Sequence, residues 1–339
     1  MPFALFIAVA LSAAFTAAMR RHALAHSMVD VPNERSSHAN PTPRGGGVAL
    51  VLVFSALSTL LAPWLGWSAT ALMAMLGGGA VVAGIGYLDD HGDVAARWRL
   101  MAHFVAAFVA LSALAAHGGL PTVPLGSWIL DLGVFGYLFA ALFIVWLLNL
   151  YNFMDGIDGL AGVELVTVSG GAALLLFWQG APISASWLLL LAACGLGFLV
   201  WNWPPAKIFM GDAGSGFLGF VLAVFALWTG GEGGIGVWAW GILLGVFLVD
   251  ATWTLIRRVS LGQRFYEAHR IHAYQYASRE FGAHKPVTLG VAAINIGWLL
   301  PWAALATWFP GLGGLFLVIA WAPLVFLCWW FKAGVPESA

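Results

Sequence analysis

The chain has 339 residues, of which 61% are hydrophobic and 9% charged, and its formal net charge at pH 7 is −1. Soluble globular proteins carry about 25% charged residues, so this composition excludes a soluble enzyme, a disordered chain and a nucleic-acid binder of the basic-patch kind. Together with a mean hydropathy of +0.90, it predicts an all-α, polytopic integral membrane protein with lipid, and no nucleic acid, as a partner.

A membrane-spanning helix needs about 20 mainly apolar residues, and eleven stretches of roughly that length follow one another along the chain. They lie at 3–19, 46–65, 69–88, 100–117, 134–151, 161–178, 184–202, 214–229, 235–255, 288–307 and 311–331. No Lys or Arg precedes Arg20, so we expect the first stretch to be a retained span and not a cleaved signal peptide. We predict a single transmembrane domain over residues 1–339.

The basic residues predict how the spans are oriented, because Lys and Arg accumulate in cytoplasmic loops. All 14 Lys and Arg lie in alternate loops and termini, at 20–45, 89–99, 152–160, 203–213, 256–287 and 332–339. The N-terminus is therefore predicted to be outside and the C-terminus cytoplasmic. With no soluble domain of useful size, any active site is expected in the cytoplasmic loops.

Acidic residues collect in three of these loops. Six of the 15 carboxylates lie in these three loops: Asp89, Asp90, Asp93, Asp155, Asp158 and Asp212. Solvated loop charge is the simple explanation, but crowded carboxylates repel one another unless a cation or a proton lies among them. Oxygen ligands without cysteine favour Mg²⁺ or Mn²⁺, and Mg²⁺ commonly joins carboxylates to phosphates. We therefore predict a metal–phosphate site.

Basic residues nearby favour a phosphate-bearing substrate. Arg44 and the glycines of Pro41–Gly47 open the second span, where a guanidinium and backbone N–H groups could both approach an anion. Arg97 and Arg99 follow the first aspartate pair, and Lys207 precedes the last aspartate motif. Anchoring at the cytoplasmic interface is the alternative role for such residues.

The last large loop contains His269, Arg270 and His272. The two histidines would share a face if this segment were helical. The trio could bind zinc, neutralise a diphosphate or cap a helix, and phosphate contact agrees best with the other motifs. Asp250, near the cytoplasmic end of the ninth span, is either an active-site residue or an ion-pair partner of Arg257 or Arg258.

These motifs, in this order, resemble those of the polyprenyl-phosphate N-acetylhexosamine-1-phosphate transferases (glycosyltransferase family 4), which include the phospho-MurNAc-pentapeptide translocase. The segments that carry the resemblance are Asp30–His38 with Pro41–Gly47, which is similar to the O-antigen-initiating branch, Asp89–Asp90, Asn152–Gly159 and Phe209–Asp212. The match covers residues 30–280, most of the chain.

The resemblance implies transfer of an N-acetylated amino-sugar 1-phosphate from a UDP-sugar to undecaprenyl phosphate in the bacterial inner membrane. Asp212 would bind Mg²⁺, and Asp89 and Asp90 would serve the lipid phosphate, one of them as base. Other residues implied to bind substrate are Asn152, Asp155 and Asp158 at the nucleotide–sugar, Phe209 at the uracil, and His269, Arg270 and His272 at the diphosphate or sugar. Whether the protein forms a homodimer is left open by the resemblance.

The family's last-loop motif is altered here. Where the translocase has three consecutive histidines and the GlcNAc-transferring branch has His-x-His-His, this chain has His269-Arg-Ile-His272. That difference argues against the peptidoglycan enzyme and weighs against GlcNAc, and it resembles O-antigen initiators that accept FucNAc or QuiNAc. The expected donor is therefore UDP-FucNAc, UDP-QuiNAc or UDP-GlcNAc. A transporter or flippase for a phosphorylated lipid is the main alternative; a structural subunit and an intramembrane aspartyl protease fit the motifs less well.

Overall fold

A computed structural model describes residues 1–32, 40–117, 119–120, 122–231, 234–263 and 269–336. The part Asn33–His38 of the first motif segment lies outside these residues. Ten helices within the described part are long and apolar enough to cross a membrane. They are α1 (Pro2–Ala25), α2 (Gly46–Leu65), α3 (Ala69–His91), α4 (Ala96–His117), α5 (Gly133–Met154), α6 (Leu160–Trp178), α7 (Pro182–Asn202), α8 (Asp212–Gly231), α12 (His284–Trp308) and α13 (Pro310–Trp330).

The remaining helices are α9 (Val237–Leu243), α10 (Gly245–Ser260) and the short α11 (Ala273–Glu280). The prediction of an all-α polytopic membrane protein is confirmed. The predicted ninth span, 235–255, is bent, because α9 and α10 meet at an angle of 79°. The described residues therefore contain ten candidate spans, or the eleven predicted when the bent pair is one span.

Two small antiparallel hairpins were not predicted. Val29–Asp30 (β1) pairs with Thr42–Pro43 (β2), next to the start of α2. Val123–Leu125 (β3) pairs with Trp128–Leu130 (β4) between α4 and α5. Each strand has only two or three residues, which is too short to produce a clear alternating pattern in the sequence.

Helix α8 forms the centre of the bundle, and nearly all of its residues are buried. Small residues allow its neighbours to approach closely, as is common in membrane bundles. A Cβ added at Gly219 would lie 2.7 Å from the backbone of α5 at Leu147 and Leu148, and one added at Gly214 would lie 2.6 Å from Gly47 Cα of α2. The start of α8 is therefore held tightly among α2, α3 and α5.

Candidate functional site

The carboxylate of Asp90, at the end of α3, caps the start of α8. Its Oδ1 accepts a hydrogen bond from the backbone N–H of Asp212 at 3.1 Å and its Oδ2 accepts one from Ala213 at 3.2 Å. Asp90 is 6% exposed. The first N–H groups of a helix lack partners within the helix and attract negative charge, so this carboxylate satisfies two of them from another helix.

Two glycines make this cap sterically feasible. Gly211 has φ +80°, and a Cβ there would also lie 2.7 Å from Asp90 Oδ2. A Cβ at Gly86 would lie 2.6 Å from the backbone N of Ala213 and 2.6 Å from the carbonyl oxygen of Asp212. Gly86 and Asp90 are four residues apart and lie on the same face of α3. Gly86 lets the backbone at the start of α8 approach this face closely, and Asp90 supplies the carboxylate that caps it.

Arg99, in the first turns of α4, lies between two carboxylates. Its Nη1 forms an ion pair with Asp89 Oδ2 and lies 3.7 Å from Asp212 Oδ2. Asp89 Oδ1 also accepts a hydrogen bond from the Val94 backbone N–H at 2.9 Å. The Asp212 side chain is 38% exposed, against 12% for Asp89. Arg99 was not predicted as a site residue, although its position shortly after Asp89 and Asp90 in the sequence indicated that it could lie near them.

Asn152 and Asp155 complete this cluster from the end of α5. Asn152 Nδ2 donates to Ser215 Oγ on α8 at 3.0 Å, a contact that nothing in the sequence predicts. Burial raises the pKa of the Asp155 carboxyl well above its usual range, and the charges of Asp212, Asp90 and Asp158 raise it further. The predicted carboxylates of α3, α5 and α8 thus share one strongly negative region that favours a proton or a cation.

Arg44 approaches the cluster from the start of α2, and its Nη2 donates to the backbone carbonyl of Asp90. The neighbouring backbone N–H groups are already used: Gly46 donates to the Phe209 carbonyl at 2.9 Å and Gly47 to the Met210 carbonyl at 2.8 Å. For Gly46 and Gly47, the expectation that their N–H groups would be offered to an anion is therefore wrong. They dock the Phe209–Asp212 motif onto α2 instead.

Asp158 and Phe209 line a separate cavity of ≈ 600 Å³. Asp158 Oδ2 accepts from the Ala206 backbone N–H at 3.0 Å, and its Oδ1 lies 3.2 Å from His284 Nδ1. Arg279 and Lys285 line the same cavity. Arg279, His284 and Lys285 were not predicted as site residues. Their position in the longest polar stretch, 256–287, was the only sequence signal for them.

Asp250 caps a second helix, α11. Its Oδ1 accepts from the Ala273 backbone N–H at 3.0 Å, and its Oδ2 accepts from Tyr274 at 3.1 Å. Asp250 Oδ1 also lies 3.2 Å from Nδ1 of His272, which is 3% exposed. This cluster is buried, and residues 269–272 precede the helix, so the two histidines do not share a helical face.

The expected arginine partners of Asp250 contact other groups. Arg257 Nη1 donates to the Ala333 carbonyl at 3.3 Å, and Arg258 Nε donates to Gln263 Oε1 at 3.2 Å. The ion-pair expectation named the wrong partner, because the last loop folds back and brings His272 to Asp250. Of the alternatives for the histidines, contact with a helix start is the one that His272 fulfils.

Tyr274 joins this region to the first one. Its hydroxyl donates to the Phe153 carbonyl at 3.0 Å, and a Cβ at Gly156 would overlap that hydroxyl. Burial, together with the nearby His272 and Arg258, lowers the pKa of His269 to about 3. The Arg270 carbonyl accepts a hydrogen bond from Arg279 Nη2 at 3.1 Å. His269 Nδ1 is buried without a hydrogen-bond partner among the described residues. His269 is therefore a neutral group at physiological pH.

The oxygen donors near the start of α8 determine which metal ion the site could hold. Within the described ranges, no three His, Cys, Asp or Glu side chains converge into a metal cluster. Both oxygens of Asp90 bind N–H groups and Asp89 is paired with Arg99, which leaves Asp212 as the more accessible carboxylate. Mg²⁺ is usually held by one or two carboxylates together with phosphates and water, so the site fits an ion that a substrate helps to bind.

Known proteins are similar to this chain over most of its length. A family model described as glycosyl transferase family 4 matches residues 72–230. A Bacillus subtilis protein named "Probable undecaprenyl-phosphate N-acetylglucosaminyl 1-phosphate transferase" is 31% identical over 278 residues, which cover 78% of this chain and 75% of that protein.

Two further relatives agree. Decaprenyl-phosphate N-acetylglucosaminephosphotransferase of Mycobacterium tuberculosis strain H37Rv is 34% identical, over 77% of this chain and 71% of its own length. The undecaprenyl-phosphate alpha-N-acetylglucosaminyl 1-phosphate transferase of Salmonella typhimurium is 31% identical, with the same coverage of 77% and 71%. The chain therefore belongs to glycosyl transferase family 4, among the polyprenyl-phosphate N-acetylhexosamine-1-phosphate transferases.

Proposed function

We propose that this protein transfers an N-acetylated amino-sugar 1-phosphate from a UDP-sugar to undecaprenyl phosphate, as the first step of O-antigen or related surface-polysaccharide synthesis. The products are a sugar-diphospho-undecaprenol and UMP. The observation that carries the proposal is the meeting of Asp89, Asn152 and Asp212 with Arg44 and Arg99 at one end of a membrane bundle. A phosphate on a membrane-embedded lipid can reach such a site.

In this reaction an oxygen of the lipid phosphate attacks the β-phosphorus of the UDP-sugar, and the bond from that phosphorus to the UMP oxygen breaks. Two anions must approach each other, so positive charge has to offset their repulsion. Arg44 and Arg99 are the cations beside the cluster. Both carboxylates have partners, but those of Asp89 are the Arg99 side chain and a loop N–H, whereas Asp90 holds the start of α8. Asp89 is therefore the better candidate for a base.

Mg²⁺, or alternatively Mn²⁺, would be held by Asp212 beside the diphosphate. Such an ion supplies charge stabilisation at the phosphoryl oxygens. Asn152, through its bond to Ser215, holds the end of α5 against α8, and this fixes the position of Asp155 relative to Asp212.

The cavity that contains Asp158 and Phe209 is proposed to receive the nucleotide. The Phe209 ring offers a stacking surface for uracil, and Arg279 and Lys285 add positive charge to the same walls. A volume of ≈ 600 Å³ lies within the usual range for small-molecule sites, about 300–1,000 Å³. His269, Arg270 and His272 are proposed to act on the sugar or diphosphate side.

The site end of the bundle is proposed to face the cytoplasm of a bacterial inner membrane, with the N-terminus outside. The one-sided distribution of Lys and Arg supports this orientation. Single cysteines can test it: a maleimide that cannot cross the membrane should label Leu125→Cys in intact cells and leave Gly92→Cys unlabelled. Labelling of Gly92→Cys from outside would contradict both the orientation and a cytoplasmic site.

The decisive experiment measures UMP release by purified protein with undecaprenyl phosphate and a panel of UDP-GlcNAc, UDP-FucNAc and UDP-QuiNAc. The names of the relatives favour GlcNAc, whereas the His269–His272 sequence favours FucNAc or QuiNAc, and the panel separates these donors. Release should require Mg²⁺ or Mn²⁺ and stop with a chelator. Folded protein that releases no UMP with any donor, but moves a phosphorylated lipid across vesicles, would favour the flippase alternative.

A further inference from the structure

A carboxyl group that the proposed reaction does not use lies deep between α6 and α12. Glu164 is 0% exposed, and Asn295, at the first residue of a π-helical turn in α12, is 4% exposed. Asn295 Nδ2 donates to Glu164 Oε2 at 2.7 Å and to Thr167 Oγ1 at 2.8 Å. The contact joins two membrane-spanning helices through polar groups only.

This contact leaves two oxygens without partners. Glu164 Oε1 and Asn295 Oδ1 are both buried and lack a hydrogen bond among the described residues. Both are acceptors if the glutamate is ionised, because a carboxylate has no donor and an amide oxygen has none. Unpaired buried acceptors are rare in native structures, and an isolated buried charge in the membrane is more costly still.

A proton on Glu164 Oε1 would let this oxygen donate a hydrogen bond and give Asn295 Oδ1 a donor. We infer that Glu164 is held as a neutral carboxylic acid whose Oε1–H donates to Asn295 Oδ1, so that the two side chains exchange two reciprocal hydrogen bonds. No described Lys, Arg or His forms an ion pair with Glu164. The titratable group that faces it from a neighbouring helix is the phenol of Tyr151, whose hydroxyl donates to the Ala161 carbonyl at 2.7 Å.

The Glu164–Asn295 pair continues a row of polar contacts between α6 and α12 that begins at the proposed nucleotide cavity. Helix α6 follows the Asp158 loop, and α12 begins with His284, whose Nδ1 lies 3.2 Å from Asp158 Oδ1. One turn further, Thr288 Oγ1 donates to the Asp158 carbonyl at 2.8 Å. We therefore assign Glu164 as a positioning residue that fixes α6 against α12 and so fixes Asp158; this second part rests on the proposed function, whereas the protonation of Glu164 does not.

The test compares Glu164→Gln with Glu164→Leu and Asn295→Leu. Glutamine reproduces the neutral acid, since its amide N–H can donate to Asn295 Oδ1 and its oxygen can accept from Nδ2. We expect Glu164→Gln to keep its melting temperature and its turnover within about twofold of the parent. Each leucine variant leaves a buried polar group unpaired and should melt lower. A Glu164→Gln variant that loses turnover tenfold or more would overturn the inference.

Infrared spectroscopy gives a readout that does not depend on activity. The difference spectrum between the parent protein and Glu164→Gln should contain the carbonyl band of a protonated carboxylic acid. The difference spectrum between the parent and the control Glu280→Gln, which alters an exposed glutamate of α11, should not contain it. No loss of this band in Glu164→Gln would overturn the protonation, as would a Na⁺-dependent melting temperature that the substitution abolishes. If the protein releases no UMP at all, the infrared and melting results still decide the protonation.

Discussion

Two helices of this protein begin at a carboxylate that comes from a different helix. Asp90 of α3 caps α8, and Asp250 of α10 caps α11, and each accepts two backbone N–H groups while being at most 6% exposed. The two caps differ in what surrounds them. Asp250 also contacts the His272 ring, whereas Asp90 lies beside Asp212 and near Asp155.

A buried aspartate at the polar end of a membrane protein can have a structural task as the cap of a helix. In both regions the carboxylate satisfies helix N–H groups that would otherwise lack partners. What distinguishes the α8 region is excess negative charge next to the cap, which attracts cations. In the α11 region the carboxylate contacts the imidazole of His272, so we expect Asp250 to position His272 and its neighbours and not to react itself.

Removing charge beside the α8 cap should have the largest effect. Asp212→Asn keeps the side-chain shape but weakens a ligand for a hard cation, so UDP-sugar binding should lose its Mg²⁺ dependence. Asp89→Asn should keep Mg²⁺-dependent binding and lose turnover by roughly 10²-fold, the scale of a positioned acid–base group. Calorimetry with and without Mg²⁺, beside UMP release, measures both. Normal Mg²⁺-dependent binding and turnover in Asp212→Asn would exclude the metal role.

Displacing the start of α8 should come next. In Gly86→Ala the added methyl would lie 2.6 Å from backbone atoms of Asp212 and Ala213, so α3 and α8 must separate and Asp90 must move. Overpacking of this kind costs about 1–3 kcal/mol, and we expect turnover to fall by about 10-fold or more. Gly84→Ala is the matched control, because nothing lies within 4 Å of its added Cβ. Equal melting temperatures and turnover for the two variants would show that the close approach is unimportant.

Displacing α11 should have a smaller effect. The methyl group in Gly156→Ala would overlap the Tyr274 hydroxyl, which lies at the end of a side chain that can adjust. We expect turnover to fall by about threefold to tenfold, because the loop that carries Asp155 moves only slightly. The double variant Gly156→Ala/Tyr274→Phe removes the overlap and should recover part of the loss. A double variant that is worse than the sum of the single variants would mean that the hydroxyl acts in another way.

The smallest expected effect concerns pH. Because burial and nearby positive charge lower the pKa of His269 to about 3, from the usual 6.5, the unfolded chain binds a proton between these pH values that the folded chain does not. Stability should therefore decrease as pH falls below about 6.5. His269→Gln should make the melting temperature less sensitive to pH in this window, while the exposed control His22→Gln should not. Identical pH profiles for His269→Gln and the parent would contradict a buried neutral imidazole.

Hydropathy alone located most of the spans because each must cross a layer of fixed thickness. The predicted stretch 46–65 coincides with α2, and 161–178 differs from α6 by one residue. The bend after Leu243 could not be predicted, since an apolar run has the same hydropathy whether it is straight or bent. The acidic loops were found because carboxylates are rare in such a chain.

The division of tasks within those loops depends on tertiary structure. Asp89 and Asp90 are adjacent and chemically identical in the sequence, yet successive residues of a helix point about 100° apart. One side chain therefore meets Arg99 and the other meets the start of α8. The contact of Asp250 with His272, 22 residues away, likewise depends on how the last loop folds back.

The cap on α8 also bears on how an inhibitor could bind. The start of a helix is a common binding site for phosphate, but here Asp90 already binds the first N–H groups of α8. A compound designed to place a diphosphate mimic on that helix end would meet a carboxylate of its own sign. Compounds directed at Arg44, Arg99 and the aromatic ring of Phe209 would instead find groups of complementary chemistry.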